Sequence, residues 1–149
     1  VDNLTIINVK VDTNRDGFDI DCCKNVRISN CSVNSPWDDA IVLKSSYALG
    51  YFKDTENVTI SDCFVSGYDR GSMLDCSWQR DEPQAPDHGY VTGRIKLGTE
   101  SSGGFKNIAI TNCIFEKKKT KIHNCLIYCC CNCSWNYFGF CNNQCYQIK

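Results

Sequence analysis

The chain has 149 residues and a formal net charge of -1, from 16 basic and 17 acidic side chains. The charges are scattered, which argues against a nucleic-acid binder held by a basic face. No run of 18 apolar residues occurs, so no segment reads as a membrane-spanning helix. Thirteen cysteines are present, a content that by itself points to a disulfide scaffold. The number is odd, so at least one thiol has no partner within the chain. Residues 1–124 hold six of them and the last 25 residues hold seven, so two kinds of sequence are joined. No signal peptide is visible, and the chain opens on Val1 rather than Met, so a missing N-terminus is expected.

The first element is the phrase NLTIINVKV from Asn3, and it recurs. NVRISNCSV starts at Asn25, NVTISDCFV at Asn57 and NIAITNCIF at Asn107. Each phrase alternates apolar and polar residues, as a half-buried strand does. The Asn or Asp that follows suits a bend, because its short side chain can bond to nearby backbone. Nothing before residue 116 has a convincing helical period. Strand-and-bend units of this length predict coils of a parallel β-helix. The longer intervals would be one coil plus a loop, or two coils plus a loop. Cys31, Cys63 and Cys113 share one repeat position, held by Val9 in the first copy. A slot taking Val or Cys suits a small buried apolar site; a disulfide or metal ladder is the alternative.

Between the phrases lie the groups able to do chemistry. Asn14-Arg15-Asp16-Gly17-Phe18-Asp19 follows the first phrase, and Pro36-Trp37-Asp38-Asp39-Ala40-Ile41-Val42-Leu43-Lys44 follows the second. Asp16 and Asp38 are spaced like Asn3 and Asn25. Stacking without insertion would therefore put them on one face of neighbouring coils, about 4.8 Å apart, with Asp39 one step along. Such crowding raises the pKa of the carboxyls. Ordinary turn aspartates remain the competing reading, and a Ca²⁺ site is a weaker third. Two crowded carboxylates suit glycosidic cleavage, where one protonates the leaving oxygen and the other activates water or attacks.

Residues 77–92, with Pro83, Pro86, Asp81, Glu82 and Asp87, read as a loop. In the next strand Arg94 and Lys96 fall on the same face and form a natural carboxylate clamp; a solvated basic face is the alternative. Asn3, Asn30 and Asn57 each open a glycosylation pattern, but they coincide with the repeat and are read as structural.

Taken in order, these motifs resemble glycoside hydrolase family 28, the polygalacturonases and related pectin hydrolases. The resemblance covers roughly residues 1–116. Asn14 to Asp19 resembles the family's Asn-Thr-Asp-Gly-Ile-Asp, and Asp38-Asp39 with AIVLKS resembles its Asp-Asp-Cys-Ile-Ala-Leu-Lys-Ser. Arg94-Ile95-Lys96 matches its Arg-Ile-Lys, and GTESSGGFKNIAITNC resembles the stretch that follows in bacterial members. The resemblance implies an all-β, right-handed parallel β-helix, truncated here. It implies inverting hydrolysis of polygalacturonan or a related pectic linkage, by a secreted or periplasmic monomer. No cofactor, metal, nucleic acid or membrane partner is implied. Carried over by position, Asp38 would be the general acid, and Asp16 and Asp39 would position and deprotonate water. Asn14, Arg94, Lys96, Arg70 and His88 would bind substrate. The family's Gly-His-Gly is missing; Gly67-Tyr68-Asp69-Arg70-Gly71-Ser72 stands there, so Arg70 falls where the His belongs, and His88 is the nearest His. A non-catalytic β-helix binding acidic polysaccharide is the rival function.

After Phe115 the pattern breaks at EKKKTK, and the Cys-rich segment 117–149 follows. A zinc site or a disulfide knot can be drawn there. A frameshift in an adenine-rich run is the preferred expectation, making residues 117–149 foreign to the fold.

Overall fold

In the computed structural model the described residues are 1–81, 93–116 and, for the backbone, 127–129. All regular structure among them is β-strand. The four phrases form β1 (Asp2–Ile7), β4 (Lys24–Ser29), β7 (Thr55–Ser61) and β10 (Phe105–Thr111). Each is followed by a short second strand, namely β2 (Lys10–Asp12), β5 (Ser32–Asn34), β8 (Phe64–Ser66) and β11 (Ile114–Phe115). A third set completes the order: β3 (Phe18–Asp21), β6 (Ile41–Ser45), β9 (Ile95–Ser101) and β12 (Ile127–Cys129).

These strands form three four-stranded sheets, β1-β4-β7-β10, β2-β5-β8-β11 and β3-β6-β9-β12. Every pairing is parallel. The chain visits the three sheets in rotation and adds one strand to each per circuit, a topology compatible with a β-helix. Among the described residues each phrase interval adds one strand to each sheet, and the longest carries residues 67–94 between β8 and β9. Three residues of the Cys-rich segment extend the third sheet, with Ile127 opposite Ile95. The remainder of that segment, and loop residues 82–92 with His88, lie outside the described residues.

Alternation turns every second side chain inward, and parallel register stacks like upon like. Leu4, Val26, Val58 and Ile108 form one column, and Ile6, Ile28, Ile60 and Ile110 the next. Val11, Val33, Val65 and Phe115 line the second sheet. Leu43 and Leu97 stack in the third. The middle circuits are sealed, whereas Leu4, Ile6, Val11, Ile110 and Phe115 at the two ends are only partly buried. An end circuit has a neighbour on one side only, so this gradient is expected.

The repeated polar residues hold the bends. Asn3, Asn25, Asn57 and Asn107 have φ of 64°, 56°, 56° and 53°. Asn8, Asn30, Asp62 and Asn112 repeat that conformation at 56°, 54°, 56° and 50°. Asn and Asp tolerate this left-handed region better than other residues with a Cβ. The first set also forms a ladder. Asn25 donates to Asn3 (3.0 Å), Asn57 to Asn25 (2.9 Å) and Asn107 to Asn57 (2.9 Å). These bonds give Asn3 and Asn57 a structural role. The repeat-position cysteines are free thiols. Cys31 and Cys63 are buried, and their thiols donate to the carbonyls of Ser29 (3.3 Å) and Ser61 (3.2 Å). The adjoining Cys113 thiol, with burial, pushes the Cys63 thiol up.

Candidate active site

The first two sheets pair the first circuit with the second at a constant offset, Leu4 with Val26 and Lys10 with Ser32. The third sheet does not keep it, because Phe18 pairs with Ile41. The second circuit therefore holds one more residue than the first between its second and third strands. Gly17 donates to the carbonyl of Asp39 and Phe18 to that of Ala40, both at 3.0 Å. In that register Asp16 stands opposite Asp39, and the extra residue falls among 36–38, just before it. The uninterrupted stacking of Asp16 on Asp38 expected from their spacing is corrected accordingly. The close approach explains Gly17. A Cβ there would lie 2.4 Å from both the Ala40 carbonyl oxygen and Val33 Cγ1.

The outcome is still a cluster. Asp16, Asp38 and Asp39 each offer an oxygen within 4.8 Å of the others. Their surroundings differ. Asp39 is buried, accepting the Gly93 N–H at Oδ1 (2.5 Å) and facing the Lys96 ammonium at Oδ2 (3.0 Å). Burial pushes its carboxyl above the usual range and the Asp16 charge adds to the rise, while the Gly93 and Lys96 contacts oppose it. Asp38 is half-buried; its Oδ1 accepts the Asp39 N–H (3.0 Å), and Arg15 lies 3.8 Å from its Oδ2. Asp16 gives Oδ2 to the Lys44 ammonium (3.0 Å), while its Oδ1 is buried with no hydrogen-bond partner among the described residues. Three such carboxylates meet the geometric minimum for a cation. A hard cation, however, takes about six to eight oxygens, and here two ammonium groups already sit on the cluster.

Lys44 is the side chain at the cluster that motif reading did not single out. It also bonds Asp19 at 2.8 Å and lies 3.8 Å from Glu100. Burial works against its charge, but the bonds to Asp19 and Asp16 outweigh it and hold its pKa above the ordinary lysine value. The signal was its place in the third sheet. Asp21 pairs with Lys44, so a strand of alternating acids lies beside a strand ending in a cation.

Arg94 and Lys96 are both buried, at 2% and 5% exposure. Lys96 serves Asp39. The Arg94 guanidinium donates to the carbonyls of Ser35 (2.8 Å), Ser66 (2.8 Å) and Glu116 (2.9 Å). These carbonyls belong to three successive circuits, so Arg94 pins the corner between the second and third sheets. Burial, then Arg80, pulls its pKa down to about 10, which leaves it a cation at neutral pH. Gly67 makes the room, since a Cβ there would lie 1.9 Å from Arg94 Nη2. Among the described residues, then, neither member of the expected clamp reaches outward. Arg70 does; it is exposed, with its guanidinium 5.9 Å from the Trp37 ring centre. Asn14 is half-buried in the bend before Asp16.

Compared with known proteins, the chain matches no protein-family model, no curated protein and no solved structure.

Proposed function

We propose that this chain is a section of a glycoside hydrolase cutting pectic polysaccharide, built on a right-handed parallel β-helix. The observation that carries the reading is the Asp16, Asp38 and Asp39 cluster, with its oxygens within 4.8 Å. Hydrolysis needs one carboxyl that gives a proton to the leaving oxygen and one carboxylate that takes a proton from water. The cluster supplies unlike carboxyls for unlike tasks. Asp38 is the general acid; it precedes Asp39 at the corner and is half-buried. Asp16 and Asp39 hold the water. Asp39 has both oxygens engaged and fixes the geometry, and Asp16, whose Oδ1 carries no hydrogen bond among the described residues, takes the water's proton. The water's oxygen bonds to the anomeric carbon as the bond to the leaving sugar breaks, and Asp38's proton ends on that sugar's hydroxyl.

An acidic substrate needs cations at the rim. Arg70 beside Trp37 takes a substrate carboxylate in this reading, with Arg15 near Asp38. Inversion belongs to the proposal too, although carboxyl groups about 6.5–9.5 Å apart are usual for it and about 5–5.5 Å for retention. With nearest oxygens inside 4.8 Å, the first-formed anomer, read by NMR, decides that point. The reading carries with it an exported monomer that works without a cofactor.

The test is release of reducing ends from polygalacturonate by the protein and by Asp38→Asn. We expect the variant to lose about 100-fold or more, the usual worth of a general acid. Equal release by both sinks the assignment of Asp38. Binding of polygalacturonate with no release by the unaltered protein replaces hydrolysis by a non-catalytic polysaccharide-binding role.

A further inference from the structure

Asp16 is the one member of the cluster with a buried oxygen lacking any hydrogen-bond partner among the described residues. Its other oxygen is taken by Lys44 at 3.0 Å. Asp39 differs, with a donor on each oxygen. Lys44 does not depend on Asp16 for its own place. Asp19 holds the same ammonium at 2.8 Å from the neighbouring strand, and Glu100 approaches to 3.8 Å from the strand beyond. The ammonium is fixed from three sides and only 19% exposed.

We infer that Lys44 is a positioning residue, resting on the hydrolase reading, which captures Oδ2 of Asp16 and fixes the rotation of that carboxylate within the cluster. A carboxylate with both oxygens equivalent can rotate and present either one. One anchored oxygen removes that rotation and holds the carboxylate in a single orientation beside Asp38 and Asp39. Asp19 then has a role of its own, since it anchors Lys44 and touches no reacting atom. Orientation of this kind acts on the bond-making step rather than on substrate binding, and a misplacement of about 1 Å costs about 100-fold in rate.

The test is steady-state hydrolysis of polygalacturonate by the protein, Lys44→Met and Lys44→Arg, with circular dichroism as the check on folding. For Lys44→Met we expect kcat lower by about 100-fold with KM within about twofold, the pattern of a lost transition-state interaction. Lys44→Arg restores a cation within reach of both carboxylates and should recover at least a tenth of the lost rate. Lys44→Met with unchanged kcat overturns the inference and leaves the hydrolase reading standing. So does a change confined to KM, or an Arg variant no better than Met. If neither variant folds, Lys44 is a folding element and the positioning assignment is overturned. An unaltered, folded protein that releases no reducing ends overturns the hydrolase reading itself, and the inference with it.

Discussion

The start of each circuit and the corner between the second and third sheets obey opposite rules. At the start, four asparagines occupy one position, share one left-handed conformation and bond in a line. Each circuit is made the same way, and no ionisable group belongs to that ladder. At the corner no two circuits agree. The first has Asp16, the second has Asp39 preceded by Asp38, and the third brings in Gly93 and Arg94. The side-chain contacts of Asp16, Asp39 and Lys96 there are charge-assisted. Repetition in this molecule builds the wall, and the departures from repetition bring ionisable groups together. A stacked array of identical residues cannot make a carboxylate acid and base at once, because chemistry needs neighbours with different pKa values.

The largest effect expected from breaking this comparison is at Arg94. Its guanidinium supplies the donors for the carbonyls of Ser35, Ser66 and Glu116. Arg94→Met keeps the stem and removes the donors, so the carbonyls of Ser35 and Glu116 lose theirs, while that of Ser66 keeps the Ser35 N–H. We expect a loss of about 3 kcal/mol or more, from carbonyls stranded at roughly 1–3 kcal/mol each. Urea unfolding measures it. A loss below about 1 kcal/mol would mean that the corner is held by strand pairing and that the pin is incidental.

The same contrast decides what was legible beforehand. The phrases from Asn3, Asn25, Asn57 and Asn107 lie on β1, β4, β7 and β10, because a stacked strand must repeat its inward residues to repeat its packing. The shared Val or Cys slot was legible for the same reason. The register of the third sheet was not. One inserted residue between β5 and β6 leaves no mark on local periodicity, yet it moves Asp39 rather than Asp38 opposite Asp16. The direction of Arg94 was hidden too. It precedes the strand that opens at Ile95, so its side chain follows the corner rather than the period of two. The cavity that admits it is made by Gly67, far away in sequence. Lys44 was missed because a lone lysine at a strand end reads as solvated, and only the pairing of β6 with β3 brings Asp16 and Asp19 to it.

A smaller effect is expected on the regular side. Asn57 sits mid-ladder, donating to Asn25 and accepting from Asn107, with φ of 56°. Asn57→Ala loses both bonds and keeps a Cβ in the left-handed region, for a cost of about 2 kcal/mol. Asn57→Gly loses the same bonds but not the conformational ease, so it should cost about 1 kcal/mol less than Ala. Thermal unfolding of the pair separates the two contributions. Equal losses would assign the whole effect to the side-chain ladder.

The smallest effect is a difference in slope, and it compares two carboxylates of the third sheet. Asp39, at the corner, is raised above the ordinary 3.8, first by burial. Asp21, at the far end of β3, is held below 3.8; burial opposes this, but the hydroxyl and N–H of Ser46 outweigh it. A raised acid binds its proton more tightly in the folded chain than in the unfolded one. Its contribution to stability is therefore complete below 3.8 and is lost as pH rises through the raised value. A lowered acid does the reverse, so the contribution of Asp21 is present above 3.8 and is lost as pH falls through the lowered value. Melting midpoints of Asp39→Asn and Asp21→Asn across the acid range, each taken relative to the unaltered protein, expose the contrast. The Asp39→Asn difference should become more favourable to the variant as pH climbs above 3.8. The Asp21→Asn deficit should shrink as pH drops below 3.8. The slope is the readout rather than the offset, because Asp39→Asn also strips Lys96 of its partner at 3.0 Å. An Asp39→Asn difference that instead grows less favourable as pH rises would mean that Lys96 and the Gly93 N–H outweigh burial at Asp39. The corner would then hold its carboxylate as a plain ion pair, no differently prepared for proton transfer than Asp21 on the strand.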